Sequence, residues 1–304
     1  MSALGVTIHH VLRNVPRSSE LVEAGEMSKN DPRSTLPEMF RIVLHALSTY
    51  LNPVRCPVCL SPECRFVTRN RSSFIHRCGS CTHAFVANPR PFDLQYKRYC
   101  GMAYWDGDRH HQGIRSVDKA DEGEHFVARR MAVLEHFRAI PQDFPTGKRP
   151  VCLEIGCSEG KLLESLARKG FQVEGNEVNP EIAALGAEHL GLKIRVEPFE
   201  AAAYTPESYD MIVSFHTFEH FLNPLDMTRK ACALLKPGGK LILEVPTDDR
   251  ELRNCDHLHF FTLHSAEVMV ASVFRELAFL EGIYNETLPS PWKTVFICGT
   301  RGSS

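Results

Sequence analysis

The sequence lacks long apolar runs and a strong excess of charge of either sign. No stretch of about 18 apolar residues occurs in its 304 residues, so we expect no membrane-spanning helix. The formal net charge is −2 at pH 7, which gives the chain as a whole no electrostatic preference for nucleic acid or membranes. The first residues contain no basic segment followed by an apolar one, so we predict no secretory signal.

Cysteine, in contrast, is abundant, and its number is odd. The chain has 11 cysteines and no predicted secretory signal, a combination typical of thiols kept reduced for metal binding or chemistry. We therefore expect a reducing, cytoplasmic compartment and no disulfide framework.

The N-terminal region has two parts. Residues 1–33 predict a flexible arm. Residues 34–52 predict an amphipathic helix, because Thr35 and Glu38 form a capping box and apolar residues follow at helical spacing. Such a helix buries its apolar face either on its own chain or in a homodimer contact.

Two C-x-x-C pairs predict a zinc ribbon at residues 53–95. Its four cysteines are Cys56, Cys59, Cys78 and Cys81. Each pair turns two sulfurs toward one point, so the two pairs complete a tetrahedral site for a structural Zn²⁺ with no open position. Cys64 and His83 lie nearby in sequence, and either could replace one of these ligands.

The predicted ribbon is locally basic, with eight arginines and lysines against two acids between Arg55 and Arg98. Its interleaved aromatic residues are Phe66, Phe74, Phe85 and Phe92. One interpretation places these rings in a small core around the metal and leaves the arginines solvated. The other uses rings and arginines together to hold RNA or a phosphorylated ligand. In both cases the charge favours a phosphate-bearing acceptor over a neutral one.

The rest of the chain predicts an α/β domain. Residues 96–147 form a polar spacer followed by a lead-in helix from about Glu124 to Arg138. Over residues 148–304 seven short apolar runs alternate with helical patterns, which is typical of a mostly parallel sheet covered by helices on both faces. The last two runs have almost no helix between them, so one of these strands is expected to be antiparallel.

The loop after the first strand suits a nucleoside without phosphates. It has the form G-x-x-x-G from Gly156 to Gly160, whereas a dinucleotide loop needs a glycine where Ser158 stands. Glu177 lies 21 residues after Gly156, at the end of the second strand, where a carboxylate can accept hydrogen bonds from both ribose hydroxyls. Glu154 precedes the loop and can face an ammonium group.

The segments "LEIGCSEG", "YDMIVSFHTFEHFLNP", "LKPGGKLILEVP" and "DHLHFFT", together with Glu177, resemble the class I S-adenosylmethionine-dependent methyltransferases. The resemblance covers residues 148–304 and implies a Rossmann-like seven-stranded sheet with S-adenosyl-L-methionine as cofactor. A preceding zinc ribbon is similar to a bacterial subgroup whose members methylate sugars, polysaccharide precursors and other secondary metabolites. The implied acceptor is therefore a small molecule such as a sugar or nucleotide-sugar hydroxyl.

The resemblance also implies roles for individual residues. Glu154, Gly156 and Gly160 would shape the pocket around the methionine moiety, and Glu177 would hold the ribose. Phe199 and Glu200 would lie near the adenine, and Phe215 and His216 would line the boundary between cofactor and acceptor.

A hydroxyl acceptor must lose a proton, and histidine is the usual base. We rank His257 first and His216 second; His220 and His259 are the other histidines on loops at strand ends. Two alternatives stay open: an RNA methyltransferase whose basic ribbon grips its substrate, and a cofactor-binding scaffold without turnover.

Overall fold

A computed structural model describes residues 53–101, 120–144, 148–247, 249–284 and 292–302, with the backbone alone at residues 120–124 and 283–284. The predicted arm at 1–33, the helix at 34–52 and the homodimer contact suggested for that helix lie outside the described residues. Their boundaries, like those of the other predicted segments, stay predictions. Within the described part, no helix combines the length and apolar character that crossing a membrane requires.

A seven-stranded sheet dominates the fold, in the order β10-β11-β8-β7-β4-β5-β6. Its strands are β4 (Val151–Ile155), β5 (Gln172–Glu177), β6 (Ile194–Val196), β7 (Tyr209–Phe215), β8 (Leu235–Pro246), β10 (Glu276–Tyr284) and β11 (Trp292–Thr300). The neighbouring strands β6 and β5, β5 and β4, β4 and β7, and β7 and β8 pair in parallel. Strand β11 runs antiparallel to both β8 and β10. The expectation of one antiparallel strand among the last two is confirmed.

Helices cover both faces of this sheet. They are α1 (Phe92–Tyr99), α2 (Ala120–His136), α3 (Lys161–Lys169), α4 (Pro180–Leu190), α5 (Pro224–Leu234) and α6 (Leu263–Ala271). Alternate side chains of each strand point to opposite faces and so build two cores. One core joins β-strand residues such as Leu153 to α5 and α6, and the other joins residues such as Cys152 to α2 and α3. The predicted fold class is confirmed.

Local sequence signals set several helix ends. The helices α3 and α4 stop at Gly170 and Gly191, whose φ angles of 109° and 64° lie in the left-handed region that glycine tolerates. The side chain of Asn179 caps α4 by accepting hydrogen bonds from the backbone N–H groups of Glu181 and Ile182.

Two predicted helices extend too far. The segment "LDMTRKACALLKPGG" predicts a helix closed by Gly238 and Gly239, but α5 ends at Leu234, and the glycines lie in an irregular stretch of β8. There, the backbone N–H of Gly238 donates to the carbonyl of Arg301, and the N–H of Arg301 donates to the carbonyl of Gly239, so nonlocal pairing overrides the helical pattern. The segment "SAEVMVASVFRELAF" also predicts a helix, but α6 ends at Ala271, and residues 276–284 pair with β11 instead.

The ribbon, defined here as residues 53–91, contains β1 (Cys64–Asn70), β2 (Ser73–Cys78) and β3 (Ala84–Val86). These strands form a second sheet in the order β1-β2-β3-β9. Strand β9 (His259–Phe260) lies in sequence between β8 and β10 of the large sheet, inside the "DHLHFFT" segment. The ribbon is therefore joined to the α/β domain by strand pairing.

Candidate active site

The candidate site lies where the parallel strands end at one edge of the large sheet. Because β4, β5, β7 and β8 run in the same direction, the residues that follow or close them meet there. This edge brings together Gly156 after β4, Glu177 at the end of β5 and His216 after β7. The backbone N–H of His216 donates to the carbonyl of Glu244 on β8, at 3.0 Å.

The carboxylate of Glu177 connects β5 to the glycine loop. One oxygen accepts a hydrogen bond from the backbone N–H of Ser158 at 3.0 Å. The other accepts from the N–H groups of Val178 and Asn179 at 2.8 and 3.0 Å. Burial raises the pKa of this carboxyl, and these backbone bonds oppose the rise. The side chain is thus fixed in orientation, and its remaining acceptor capacity faces the loop.

The glycine loop packs so closely against its neighbours that a side chain at either glycine would collide with them. A Cβ added at Gly156 would lie 2.2 Å from Thr217 Oγ1, and one added at Gly160 would lie 2.4 Å from Leu192 Cδ1. Both glycines have positive φ angles, of 71° and 82°. The loop can therefore keep this close approach to its neighbours only with glycine at both positions.

Glu154 is 2% exposed, and burial raises the pKa of its carboxyl to about 8. Within the described residues its Oε2 has no hydrogen-bond partner. The charge of Arg130, on α2, acts against the rise. The Arg130 guanidinium lies 4.6 Å from the ring centroid of Phe215. A buried acid thus lies close to an arginine at the mouth of the sheet.

His216 lies between two buried acids. Its Nδ1 is 3.4 Å from Glu219 Oε1, and its Nε2 is 3.3 Å from Glu244 Oε1. Burial would lower the pKa of this imidazole, but the two carboxylates outweigh it and raise the pKa to about 10. Arg129 forms a further ion pair of 2.6 Å with Glu244. Near neutral pH, the His216 imidazole is therefore in its doubly protonated, positively charged form.

His257 occupies a different setting. Its Nδ1 lies 2.8 Å from Glu251 Oε2, and its Nε2 lies 3.1 Å from Asn254 Nδ2. Burial disfavours the charged imidazole, yet the contact with Glu251 raises its pKa above the usual value. The Glu251 carboxylate thus fixes the orientation of the ring.

Three neighbouring side chains could together hold a metal ion. One ligand atom each from Glu219, His220 and His257 lies within 4.8 Å of the others. Glu219 is fully buried; its Oε1 lies 3.4 Å from His216 Nδ1, and its Oε2 has no hydrogen-bond partner among the described residues. The ring centroids of His220 and His257 are 4.9 Å apart. Imidazole and carboxylate ligands suit zinc, iron and manganese.

The comparisons with known proteins agree with this geometry. Residues 124–277 match a family described as a methyltransferase domain, which is 154 of the 304 residues. The chain belongs to this methyltransferase-domain family.

Relatives and solved structures extend the finding. The chain is 38% identical over 170 residues to a ubiquinone biosynthesis O-methyltransferase from Xanthomonas euvesicatoria pv. vesicatoria (strain 85-10), covering 54% of this chain and 64% of that protein. It is 31% identical over 133 residues to a protein of the same name from Vibrio cholerae serotype O1 (strain ATCC 39541 / Classical Ogawa 395 / O395), covering 42% and 51%. The chain thus spans less than two thirds of the length of these relatives.

The fold matches that of Haemonchus contortus phosphoethanolamine N-methyltransferase 2 in complex with S-adenosyl-L-methionine. The TM-score is 0.52 at 12% identity, over 72% of this chain and 62% of that one. The methyltransferase domain therefore has the class I S-adenosylmethionine-dependent fold, as the resemblance implied.

Two expected adenine neighbours lie deeper in the methyltransferase domain. Phe199 is 1% exposed, and its ring packs against Tyr204 and Phe221. The hydroxyl of Tyr96, on α1, donates to Glu200 Oε1. Burial raises the pKa of Glu200 to about 7. Helix α1 thus covers this part of the sheet edge.

In the ribbon, the four predicted cysteines come together. Their sulfurs approach in pairs, with Cys56 to Cys81 at 3.5 Å and Cys59 to Cys78 at 3.6 Å. A tetrahedron of sulfurs at about 2.3 Å from zinc has edges of about 3.8 Å, so the four sulfurs are spaced for the ion. The interpretation that all four phenylalanines form the ribbon core is wrong for Phe66 and Phe74, which are 56% and 45% exposed.

Sequence reasoning missed several residues of the site. These are Arg129, Arg130, Glu219, Glu244 and Glu251, and it ranked His220 low. The two arginines come from α2, more than 20 residues before β4, so no spacing rule connects them to the loop. A signal existed for Glu219 and Glu244, since an acid inside an apolar run requires a partner when it is buried.

The glycine loop gives a direct test. We expect Gly156→Ala to lower the free energy of unfolding by about 2–4 kcal/mol, because it combines a positive φ angle with a clash against Thr217. Gly191→Ala is the control: its φ is also positive, but no atom lies within 4 Å of an added Cβ, so only about 1–2 kcal/mol should be lost. Urea denaturation measures both, and equal losses would contradict the close approach at Gly156.

Proposed function

We propose that this protein transfers a methyl group from S-adenosyl-L-methionine to a hydroxyl of a small molecule. The observation that carries the proposal is the Glu177 carboxylate, held by three backbone N–H groups beside the glycine loop of a methyltransferase domain. The relatives are named O-methyltransferases, which supports oxygen as the acceptor atom.

Each end of the cofactor would meet a complementary group. Glu177 would accept hydrogen bonds from the ribose hydroxyls. The methionine end carries a carboxylate and an ammonium group, and the pair of Arg130 and Glu154 offers one charge for each. Bringing both into this buried site would satisfy the Glu154 oxygen that lacks a partner among the described residues.

We propose His257 as the base, with Glu251 at Nδ1 and with Nε2 taking the proton in place of its contact with Asn254 Nδ2. As the acceptor oxygen forms a bond to the methyl carbon, the carbon–sulfur bond breaks, and the hydroxyl proton passes to the imidazole. This leaves a methyl ether, a neutral thioether and a protonated histidine. His216 is less suited, because the acids Glu219 and Glu244 already keep it protonated near neutral pH.

A bound metal ion is the second proposal for proton removal. Glu219, His220 and His257 would hold a divalent cation, and the support is the buried carboxylate of Glu219. When bound, such an ion would polarise the acceptor hydroxyl and lower its pKa. The ion in the ribbon, by contrast, would be a structural Zn²⁺ on four thiolates.

The acceptor class is the finer part of the proposal. A sugar or nucleotide-sugar hydroxyl follows from the zinc-ribbon subgroup that the sequence resembles. An aromatic hydroxyl follows from the relatives' part in ubiquinone biosynthesis. Both present a hydroxyl whose proton must leave as the methyl group arrives.

The experiment that tests the function incubates the protein with methyl-labelled cofactor and two panels, one of nucleotide sugars and one of catechols and phenols. We expect label to enter at least one compound as a methyl ether. His257→Asn should reduce this transfer about 10²–10⁴-fold while cofactor binding persists. Binding without transfer to either panel or to extracted RNA would favour the scaffold alternative, and transfer to RNA alone would favour the RNA methyltransferase.

Cofactor binding tests the role of Glu177. We expect Glu177→Gln to weaken S-adenosylhomocysteine binding at least about tenfold, since it replaces a fixed ionic acceptor by an amide. The matched control is Glu188→Gln, an exposed acid on α4. Isothermal titration calorimetry would contradict this role if the two variants bound with equal affinity.

The pH dependence of transfer tests the base. Only neutral imidazole accepts a proton, so kcat/KM should rise with pH through the pKa of His257, which Glu251 keeps above 6.5. In Glu251→Gln the support for the charged form is lost, and the inflection should move to lower pH. A profile that is the same in both proteins would show that this pair does not supply the base.

Metal analysis tests both proposed ions. We expect one zinc per chain held by the ribbon, and a second site that takes up added Mn²⁺ or Zn²⁺. Glu219→Gln should abolish the second uptake and leave the ribbon zinc in place. Purified protein without zinc would contradict the ribbon assignment, and either no uptake of added metal or equal Mn²⁺ uptake by the variant would contradict the second.

A further inference from the structure

We infer that the ribbon is a structural part of the acceptor site, and that His83 is a positioning residue for the segment 254–262, here called the acceptor loop. This inference rests on the proposed function, because it assigns the acceptor site to the loop that carries His257. The ribbon would then act on the chemistry through the geometry of this loop, without contacting the cofactor.

The first support is the strand seam between the ribbon and the acceptor loop. Strand β3 pairs antiparallel with β9, with Ala84 opposite Phe260 and Phe85 opposite His259. The backbone N–H of Val86 donates to the carbonyl of Leu258 at 2.9 Å. Leu258 is the residue directly after His257, and its own N–H donates to the carbonyl of Glu219 at 2.9 Å. One residue thus links the ribbon to the loop of the candidate site.

The second support is a buried chain of side-chain hydrogen bonds. His83 is fully buried and His259 is 97% buried. The Nε2 atom of His83 lies 3.0 Å from Nδ1 of His259. His259 Nε2 lies 2.8 Å from the carbonyl oxygen of Phe221. Because that carbonyl can only accept, Nε2 of His259 carries the hydrogen, and its Nδ1 accepts from His83. The bonding pattern therefore makes His83 the donor that orients the loop histidine.

The third support is that the cysteine cluster fixes His83. The backbone N–H of Cys78 donates to the carbonyl of His83 at 2.8 Å. The ring of His83 lies 6.0 Å from that of Phe85 and 4.7 Å from that of Phe261. Phe85, Phe261 and the ribbon cysteines belong to the same core as α5 and α6. The position of the donor thus depends on the folded ribbon.

Other contacts hold the acceptor loop from its opposite side. Arg98, on α1, forms an ion pair with Asp256, and the hydroxyl of Tyr99 donates to the Asp256 carbonyl at 3.0 Å. The loop is therefore fastened at Asp256 by α1 and at Leu258 and His259 by the ribbon. His257 is the residue between the two attachments, so loosening either should change its position.

The test uses the full-length protein and compares two substitutions of His83. His83→Phe keeps an aromatic ring but removes the donor, and His83→Gln keeps an N–H at a similar reach. The readouts are hydrogen exchange of peptides covering 254–262, zinc content and S-adenosylhomocysteine affinity. Arg77→Ala is the control, because it breaks an ion pair that crosses the same seam to Asp249, whose side chain is 85% exposed.

We expect His83→Phe to speed exchange in the acceptor loop at least about tenfold, with exchange in β4 and β7, zinc content and cofactor affinity unchanged. His83→Gln should restore most of the protection, and Arg77→Ala should behave like the wild type. A merely structural contribution to stability would instead speed exchange across the whole sheet, and would overturn the inference.

Unchanged exchange in the His83→Phe loop, or equal exchange in the Phe and Gln variants, would also overturn it. If His83→Phe does not fold, Val86→Pro tests the same seam by removing the N–H that Leu258 accepts; protection of 254–262 equal to the wild type would then contradict the inference. A wild-type protein that binds no S-adenosylhomocysteine would contradict the proposed function, whatever the loop exchange shows.

Discussion

The contact between Glu177 and the loop after β4 is the constraint on which the candidate site depends. A carboxylate removed from water is unfavourable unless hydrogen bonds replace its hydration. Here three backbone N–H groups do so, and they come from both the glycine loop and the turn that starts α4. The same bonds fix the loop, the strand end and the start of the helix relative to one another, so the candidate site is organised without a ligand.

A second set of buried charges lies further along the sheet edge. His216, Glu219, Glu244 and Arg129 offset one another, which is why the pKa of His216 rises to about 10 while that of Glu244 falls to about 2 despite its burial. The surroundings of His216 and His257 differ. His216 lies as a cation between two acids, whereas His257, the proposed base, contacts the Glu251 carboxylate and lies near Glu219.

The parts of the fold that the sequence predicted are those governed by local patterns. Alternating apolar runs, the glycines at 170 and 191 and the C-x-x-C pairs act over a few residues, and the structure contains the corresponding strands, helix ends and cysteine cluster. The parts it missed depend on nonlocal pairing. No local signal shows that His259 completes the ribbon sheet, or that the charge of Arg130 on α2 acts on Glu154. The glycines at 238 and 239 look like a helix stop, but pairing with Arg301 places them in a strand.

The central claim is that the sheet edge binds an adenosyl sulfonium through Glu177. A crystal structure of the protein with S-adenosylhomocysteine tests it most directly. The account predicts both ribose hydroxyls within hydrogen-bonding distance of the Glu177 carboxylate, and the amino-acid end of the ligand between Arg130 and Glu154. A ligand bound with its ribose away from Glu177, or a nucleotide diphosphate seated on residues 156–160 in its place, would contradict the account.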